Sequence, residues 1–265
     1  MNQQHLDVVV QAARAGAAEL MSRRADFVVS EKAPKDLVTD ADLASQKAIR
    51  DQLVEAFPAY AFVGEEEGET EPPEATRRGD ADATPCWVVD PLDGTVNYVH
   101  RLQSFAVSIA LFAKGEMKLG VILDPTRDEL FTAIAGDGAK LNGKPISSSQ
   151  CTDISQALIS CSFPAGVTSD APEVTRFTNV LARCRSMRRL GSCALNMCYV
   201  AAGRLDGYWA TSVAPWDSAA GSVIAKEAGA ALIGYDGQPF DDWSPKFCVA
   251  ATDDLQQQIL PLLKV

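Results

Sequence analysis

Four acidic segments lie where predicted helices or strands begin or end, and this placement constrains the fold more than any other feature of the chain. Open sheets place their functional sites in the loops that follow their strands. The chain is therefore expected to combine helices with sheets and to carry its acidic groups in loops. The segments are 36–42, which enters a helix, 64–67, which leaves a strand, 90–95, which leaves another strand, and 216–217, which enters a helix.

The spacing of apolar residues predicts helices and strands along the whole chain. Ser192 and Gly203 are suited to cap the two ends of one helix, and Asp217 lies near the N-cap of another. Residues 66–85 are polar and predict a surface loop, with a lid over the site as the functional alternative. The predicted helices are 3–24, 41–57, 172–183, 192–203, 217–229 and one that starts at Asp253. The predicted strands are 61–64, 86–90, several between 105 and 141 with turns at 114–116 and 136–138, 157–161, 186–190, 205–209, 230–234 and 247–250.

The length of 265 residues suits a single domain, 1–265, made of two closely packed halves, about 1–150 and 151–265. Apolar residues make up 47% of the chain, enough to bury a sizeable core. No apolar run of membrane-spanning length and no secretory signal pattern occurs, so a cytoplasmic protein is expected. The seven cysteines form no CxxC pair and predict buried, reduced thiols.

The net charge and the histidine content limit the kinds of binding and catalytic site that the chain can form. The formal net charge of −11 argues against general nucleic-acid binding, which needs a basic face. It would also repel an anionic substrate unless a bound divalent cation reverses the local field. With only His5 and His100 present, a zinc site of several imidazoles is excluded, and a Ser-His-Asp triad could use only His100. Catalysis must therefore rely on carboxylates, hydroxyls, lysines or a hard metal ion.

The segment after the predicted strand 86–90 carries the most information about the site. Asp90 and Asp93 are spaced so that both carboxylates can face one point, and the Leu92 carbonyl between them adds a third oxygen ligand. All-oxygen ligation favours Mg²⁺, Mn²⁺ or Ca²⁺. Gly94 allows a ligand to approach the backbone, and Thr95 adds a hydroxyl at the same place. Asp-Pro or Asp-Gly alone would indicate an ordinary turn, but the whole run favours a metal site.

Several motifs of this chain resemble the inositol monophosphatase family. Two of them are the family's signatures, separated by more than a hundred residues, so the resemblance is specific and covers nearly the whole chain. The motifs are WVVDPLDGTVNYVH (87–100), PWDSAAG (215–221) followed by EAGA (227–230), DLVTDAD (36–42), VGEEE (63–67) and GSCALNMCYVAAGRLDGYW (191–209).

The resemblance implies a fold and an activity. The fold would be of the α+β class, a layered α-β-α-β-α sandwich shared with fructose-1,6-bisphosphatases. The activity would be the lithium-sensitive hydrolysis of a small phosphate monoester, foremost inositol 1-phosphate, by a metal-activated water. Two or three Mg²⁺ ions would be required, with Mn²⁺ able to substitute, and the enzyme would be a homodimer.

The resemblance also implies roles for individual residues. Asp42 and Thr95 would orient and deprotonate the attacking water, and Glu65 would share in catalysis. Asp42 matches the family by its offset from Thr39, with Asp40 as the alternative. The implied metal ligands are Glu65, Asp90, the Leu92 carbonyl, Asp93 and Asp217. The implied substrate contacts are Asp93, Gly94, Thr95, Gly191, Ser192, Cys193 and Asp217.

One position departs from the family pattern. Where inositol monophosphatases have a glutamate that binds sugar hydroxyls, this chain has Ala210. Modest selectivity among sugar and polyol monophosphates is therefore expected, and Ala210→Glu should raise the selectivity for inositol phosphate. As an alternative, Ser212 or another residue of the 211–214 loop supplies the missing contact.

Two further functions remain open from the sequence. The substrate could be another phosphate ester, such as fructose 1,6-bisphosphate, histidinol phosphate or an adenosine bisphosphate. The chain could also be an accessory partner of the transcription machinery, as some bacterial relatives are. The basic cluster of Arg183, Arg185, Arg188 and Arg189 could make such a contact, although a solvated surface strand end or a dimer-interface contact is the favoured explanation.

Overall fold

A computed structural model describes residues 2–33, 36–66, 71–80, 82–164, 166–243 and 246–265. None of the helices in these ranges combines the length and the hydropathy needed to cross a membrane. The helices are α1 (Gln3–Arg23), α2 (Asp40–Ala56), α3 (Glu74–Arg78), α4 (Thr95–Val99), α5 (Pro172–Leu181), α6 (Cys193–Ala201), α7 (Pro215–Glu227) and α8 (Asp253–Ile259), with short 3₁₀ helices at Ile154–Gln156 and Leu260–Leu263.

The strands form two larger sheets and one hairpin. The hairpin pairs β1 (Val29–Ala33) with β2 (Asp36–Thr39). The seven-stranded sheet follows chain order and consists of β3 (Ala61–Gly64), β4 (Cys86–Asp93), β5 (Ala106–Ala113), β6 (Glu116–Asp124), β7 (Glu129–Ile134), β8 (Ala139–Leu141) and β9 (Lys144–Pro145). The five-stranded sheet has the order β11 (Ser186–Arg188), β10 (Leu158–Ser162), β12 (Gly207–Ala210), β14 (Phe247–Ala250) and β13 (Ala231–Gly234).

Burial on both faces explains the apolar character of the central strands. In β4, Trp87 and Val89 pack beneath α1 and α2, while Val88 packs on the opposite face of the sheet against α6 and α7. Because side chains alternate across a strand, β4 needs apolar residues at successive positions, which is what the sequence supplies. The strand remains buried up to Asp93, so the carboxylates of Asp90 and Asp93 lie within its buried part.

The pair α6 and α7 forms the middle layer between the two sheets. Its residues share one apolar cluster with inward-facing residues of both sheets, among them Ala110 of β5 and Val249 of β14. The helices approach the sheet closely: a Cβ at Gly120 of β6 would lie 2.4 Å from the Ala220 carbonyl oxygen of α7. Only glycine fits at that position of β6.

A third apolar cluster covers the outer face of the five-stranded sheet. There Trp209 of β12 and Cys248 of β14 pack with Val180 of α5 and Leu255 of α8. The order of layers is therefore helices α1 and α2, the first sheet, helices α6 and α7, the second sheet, and helices α5 and α8. This is the α-β-α-β-α sandwich that the resemblance implied, and the α+β fold class is confirmed.

Several short elements were not predicted from the sequence. They include the hairpin of β1 and β2, β9, and α3, which lies within the polar stretch 66–85. Residues 67–70 and 81 of that stretch lie outside the described residues. Around Gly79, the stretch packs at the hairpin between β5 and β6, where Gly79 approaches Gly115, at the opposite end of β4 from Asp93. Glu66, by contrast, lies in the acidic turn after β3, and the lid over the site stays a prediction.

Candidate metal centre

The end of β4 brings two of the predicted ligands together through a bulge. Asp90 pairs with Ser108 of β5 and Asp93 pairs with Ala106, so two residues of β4 stand opposite one residue of β5. Ser45 of α2 fixes the bulge, because its hydroxyl donates to the Pro91 carbonyl oxygen at 3.0 Å. The Leu92 amide donates to Asp90 Oδ1 at 2.9 Å. Both aspartates thus project from one short, restrained turn.

Asp217 joins them from the second half of the chain. Its carboxylate accepts a hydrogen bond from the Ala214 amide at 2.7 Å, which fixes the first turn of α7. The sequence placed Asp217 near the N-cap, whereas Ala214 is the N-cap and Asp217 lies three residues inside. Carboxylate oxygens of Asp90, Asp93 and Asp217 all lie within 4.8 Å of one another.

Crowding of these carboxylates changes their protonation. Burial and then the neighbouring charges of Glu65, Asp93 and Asp217 raise the pKa of Asp90 well above its usual range. Burial and the charge of Asp93 raise the pKa of Asp217 to about 8. Asp90 Oδ2 is buried and finds no hydrogen-bond donor among the described residues. A buried carboxylate oxygen without a donor is costly unless a cation binds it.

Asp93 is held differently, by the beginning of α6. Its carboxylate accepts hydrogen bonds from the Ser192 hydroxyl, from the Cys193 amide at 3.1 Å and from the Ala194 amide at 2.7 Å. Burial raises the pKa of Asp93, but these three donors favour the ionised form and limit the rise to about 6. The N-terminal end of a helix is a favourable place for a carboxylate. Asp93 therefore joins the turn after β4 to α6.

This arrangement bears on the predicted substrate contacts. The hydroxyl of Ser192 both donates to Asp93 and accepts from the Leu195 amide as the N-cap of α6. The amide of Cys193 is also engaged with Asp93. Among the three residues predicted to contact substrate here, only Gly191 is exposed. Ser192 and Cys193 act on Asp93 in this structure.

Glu65 follows β3 and is accompanied by a cation that the sequence analysis missed. The Lys32 ammonium on β1 lies 3.0 Å from Glu65 Oε1 and 2.7 Å from Glu66 Oε1. Burial opposes the charge of Lys32, but the two carboxylates outweigh it and raise its pKa. The Glu66 amide donates to Gln46 Oε1 of α2 at 3.0 Å, which fixes the turn. Glu67, the last residue of this acidic run, lies outside the described residues.

Asp42 forms a hydroxyl network with two threonines. Thr39 caps α2 and donates to Asp42 Oδ2 through its hydroxyl at 2.5 Å and its amide at 2.9 Å. The Thr95 hydroxyl lies 3.4 Å from Asp42 Oδ1 and 3.1 Å from the Leu92 carbonyl oxygen. Asp40 instead accepts from the Val28 amide at 2.8 Å. The structure thus brings Asp42, and not Asp40, to Thr95.

Burial sets the protonation of Asp42, whose side chain is nearly inaccessible to solvent. Burial raises the pKa of Asp42 to about 6, although hydrogen bonds from Thr39 oppose the rise. A carboxylate whose pKa lies near neutrality suits proton transfer better than an ordinary aspartate. The pair of Asp42 and Thr95 can therefore accept a proton beside the carboxylate cluster.

The donor set fits a hard divalent cation. All of its groups are oxygens, namely the carboxylates of Glu65, Asp90, Asp93 and Asp217 and the Leu92 carbonyl, and hard cations prefer such ligands. The buried Asp90 Oδ2 without a donor is the observation that fits a cation best. Without added positive charge, the clustered carboxylates can ionise only against their mutual repulsion.

Ala210 does not line an open cavity. It is fully buried at the end of β12, paired with Phe247 of β14, and belongs to the apolar cluster of the middle layer. Residues Val213 and Trp216 pack against the same cluster. A longer side chain at position 210 would have to displace part of this cluster before it could reach a substrate.

The arginine cluster lies on the surface around β11. Arg183, Arg185, Arg188 and Arg189 are all exposed, and none of them forms an ion pair with another described residue. The Arg189 guanidinium instead lies 4.0 Å from the centre of the Phe163 ring. This patch stays positively charged on a strongly acidic protein.

Comparison with known proteins identifies the family of this chain. Residues 1–264 match the model of the inositol monophosphatase family. The chain is 41% identical to inositol monophosphatase 1 of Solanum lycopersicum over 259 residues, which cover 95% of this chain and 91% of that one. It is 39% identical to the Nus factor SuhB of Pasteurella multocida over 236 residues, covering 88% and 85% of the two chains.

Solved structures agree with these matches. The extragenic suppressor protein suhB from Bartonella henselae is 34% identical, superposes with a TM-score of 0.90 and covers 98% of both chains. The inositol monophosphatase from Anabaena is 32% identical with a TM-score of 0.84, covering 98% of this chain and 95% of that one. The resemblance and the phosphatase class that the sequence indicated are confirmed. The chain belongs to the inositol monophosphatase family.

Proposed function

We propose that this protein hydrolyses small phosphate monoesters with the help of divalent cations held by Glu65, Asp90, Asp93, Asp217 and the Leu92 carbonyl. The observation that carries the proposal is the cluster of three aspartate carboxylates within 4.8 Å, one of whose buried oxygens has no donor among the described residues. Mg²⁺ is the preferred cation because every ligand is an oxygen, and Mn²⁺ would substitute for it.

The protein's own groups would act on the water and the ester. When bound, the cations supply charge that neutralises the phosphate and lowers the pKa of water. The Thr95 hydroxyl, fixed between Asp42 and the Leu92 carbonyl, orients the attacking water by a hydrogen bond. Asp42 Oδ1 accepts a proton through Thr95, since its raised pKa suits that role. Gly94 would contact the phosphate through its backbone.

Inositol 1-phosphate is the substrate we propose first. Relatives that are 37–41% identical over nearly the whole chain carry the names inositol-1-monophosphatase and inositol monophosphatase 1. Selectivity should still be modest, because Ala210 offers no polar atom to a ring hydroxyl. Fructose 1,6-bisphosphate, histidinol phosphate and adenosine bisphosphate remain in the panel to be tested.

Phosphate release from this panel tests the proposal. We expect turnover with Mg²⁺ that disappears in excess EDTA, returns on adding Mg²⁺ and falls with Li⁺. Thr95→Val tests the role of the hydroxyl, and Val96→Thr, an exposed neighbour on the same helix, is its matched control. Full turnover in excess EDTA, or no release from any ester in the panel, would refute the proposed function.

A second candidate function is supported by the basic patch. The four exposed arginines without acidic partners among the described residues could bind an acidic surface, and relatives that are 37–39% identical are named Nus factor SuhB. We propose a role as an accessory of the transcription machinery as the alternative. A pull-down with wild type, Asp217→Asn and Arg188→Glu/Arg189→Glu decides. A stable partner lost only with the arginine variant favours it, and no partner at all rejects it.

Assembly and location complete the proposal. We propose that residues 1–265 act as one domain, that the enzyme is a homodimer and that it works in the cytoplasm, as the resemblance and the sequence pattern imply. Light scattering during size-exclusion chromatography measures the mass directly. A mass equal to the 28.3 kDa of one chain at micromolar concentration would reject the dimer.

A further inference from the structure

Asn97 is a buried polar residue that the reaction proposed above does not use. It lies within α4, is only 8% exposed and belongs to the described part of the chain. We infer that Asn97 is a positioning residue: its amide group fixes the start of α6 against the turn after β4 and so holds Asp93 for metal binding. The inference deepens the proposed function and rests on it where metal binding is concerned.

The contacts of Asn97 join the two halves of the chain. Its Nδ2 donates to the carbonyl oxygen of Ser104 at 2.7 Å and to the carbonyl oxygen of Leu190, also at 2.7 Å. Ser104 belongs to the loop that leads into β5, whereas Leu190 lies in the second half, just before α6. One side chain therefore ties three backbone segments at a single point.

The position of Leu190 connects Asn97 to the residues that bind Asp93. Leu190 precedes Ser192 by two residues, and Ser192, Cys193 and Ala194 are the residues that donate to Asp93. The turn from Asp93 to Asn97 is thus attached to the segment 190–194 at both of its ends. One attachment would set a distance only, whereas two also set the orientation of α6 relative to Asp93.

Close backbone packing shows that the junction has little free space. A Cβ at Gly94 would lie 2.9 Å from the Ser104 carbonyl oxygen, and Gly94 has a positive φ of 98°. A Cβ at Gly191 would lie 2.7 Å from Asn97 Nδ2, and Gly191 has a φ of 80°. Glycine at both positions therefore lets the two segments meet around the Asn97 amide.

The chemistry of the site selects asparagine. Two carbonyl oxygens must be satisfied from one direction, and the NH₂ group of a carboxamide carries two donors on one nitrogen. An aspartate would present acceptors only, and a serine has a single donor. Loss of the amide would leave two partly buried carbonyl oxygens without that donor, which favours a shift of the 190–194 segment.

A purely structural role makes a different prediction. In that case, removal of the amide would lower the melting temperature equally with and without Mg²⁺ and would leave Asp93 in place. A positioning role predicts a selective change at the start of α6 and in metal binding. Hydrogen exchange of the Cys193 and Ala194 amides reports on the first, and calorimetric titration with Mg²⁺ alone reports on the second.

The experiment compares Asn97→Ala with Ser104→Ala. The control removes only the Ser104 hydroxyl, which lies 3.2 Å from the same Leu190 carbonyl oxygen, and leaves the Asn97 amide in place. For Asn97→Ala we expect faster exchange at Cys193 and Ala194 and Mg²⁺ affinity lower by about tenfold, as for other residues that orient metal ligands. For Ser104→Ala we expect both values to stay near those of wild type.

Failure of either change in Asn97→Ala overturns the inference, whatever the melting temperature. If that variant does not fold, Asn97→Ser is measured instead, and wild-type exchange and affinity in it have the same meaning. If the wild type itself binds no Mg²⁺, the proposed function fails. Exchange of the two amides in the metal-free protein then decides alone whether Asn97 fixes the start of α6.

Discussion

The crowded carboxylates differ in how many hydrogen-bond donors stabilise their negative charge, as the comparison of Asp90, Asp93 and Asp217 shows. Asp93 is ionised at the lowest cost, because three donors from α6 support its carboxylate. Asp90 has one backbone donor and a buried oxygen without any among the described residues, and Asp217 has one backbone donor. Substitutions at Asp93 and Asp217 should therefore have different effects on stability.

Asp217→Asn and Asp93→Asn should both reduce turnover by roughly a hundredfold or more, because each removes a charge that holds the cation. Asp217→Asn should leave the melting temperature without metal unchanged or higher, since it relieves repulsion and can still accept from Ala214. Asp93→Asn should lower the melting temperature without metal, because the side-chain NH₂ of the new asparagine would face the hydrogen-bond donors at the start of α6. Calorimetry with EDTA and steady-state kinetics with Mg²⁺ measure the two effects. Near-normal rates in either variant would contradict the ligand assignment.

The raised pKa values predict a pH dependence of defined sign. Burial first, and then local charges, raises the pKa of Asp42 and Asp93 to about 6, of Glu66 to about 7 and of Asp217 to about 8. The folded, metal-free chain therefore binds more protons than the unfolded chain. These extra protons stabilise the folded, metal-free chain. Their contribution is complete below about pH 4 and is lost as the pH rises through about 6 to 8.

Mg²⁺ should reverse this trend, because it favours the ionised carboxylates. Melting temperatures from pH 4 to 8 should fall with rising pH in EDTA, and Mg²⁺ binding should tighten over the upper part of that range. Calorimetric titrations in two buffers with different ionisation enthalpies measure the protons released. Binding of Mg²⁺ without proton release at pH 6.5 would show that the carboxylates are already ionised.

Only some of the individual site residues could be predicted from the sequence. Asp90, Asp93 and Thr95 could be selected because one short run holds them together, and Asp42 was separated from Asp40 only by the resemblance. Lys32 could not be selected, since its approach to Glu65 depends on the β1–β2 hairpin, whose strands lack a clear apolar alternation. The engagement of Ser192 with Asp93 likewise depends on how the two halves dock.

At the scale of elements, the β1–β2 hairpin supplies a cation to the acidic turn after β3. Lys32 lies within ion-pair distance of Glu65 and Glu66, and the side chain of Glu66 is only 2% exposed. The ammonium therefore stabilises a nearly buried carboxylate while it competes with a divalent cation for Glu65. These two effects have opposite consequences for the metal-free and the metal-bound protein.

Lys32→Met should lower the melting temperature in EDTA and tighten Mg²⁺ binding by roughly two- to fivefold, the range expected for loss of a partly exposed ion pair. Lys47→Met is the matched control, because Lys47 forms an exposed pair with Asp51 at 2.6 Å on α2. Weaker Mg²⁺ binding in Lys32→Met would instead show that the lysine assists the metal-bound state.

The end of β12 carries another prediction. Since Ala210 is fully buried, Ala210→Glu would place a carboxylate in an apolar cluster. We expect it to lower the melting temperature by about 5–10 °C, because an unpaired buried charge costs several kcal/mol. The expectation from the sequence, higher selectivity for inositol phosphate, requires that residues 211–214 move aside.

Ser212→Glu is the control for this prediction, because Ser212 is exposed in the loop that follows. Scanning calorimetry and kinetics on inositol phosphate and a simple alkyl phosphate are measured for both variants. An Ala210→Glu protein that is as stable as wild type and more selective would show that the loop opens and that the family's sugar contact can be restored.

Elements with strong apolar periodicity were predicted to within a few residues. The helix expected at 3–24 is α1, Gln3–Arg23, and the strand expected at 61–64 is β3 with the same bounds. The sequence missed α3 because Glu74–Arg78 is polar and only one turn long, so its helical state depends on packing at Gly79 and on the Thr76 hydroxyl bond to Thr84. Short elements fixed by tertiary contacts lack a local pattern.

At the scale of the whole molecule, the net charge of −11 and the arginine patch oppose one another. The clustered acidic groups at the end of β4 and the start of α7 would be stabilised by the proposed cations. The positive charge of the patch around β11 is not offset, because none of its four arginines has an acidic partner among the described residues. Attraction of an acidic partner to that surface would weaken as the salt concentration rises.

The late position of α6 and α7 in the chain determines when the site can form during synthesis. Asp90 and Asp93 emerge from the ribosome early, but the amides of α6 that support Asp93 and the carboxylate of Asp217 come from the last third of the chain. A nascent chain that ends before α6 has two crowded acids and none of these supports. The cluster of three aspartates is therefore completed only late in synthesis, and a prematurely terminated chain is expected to lack the proposed phosphatase activity.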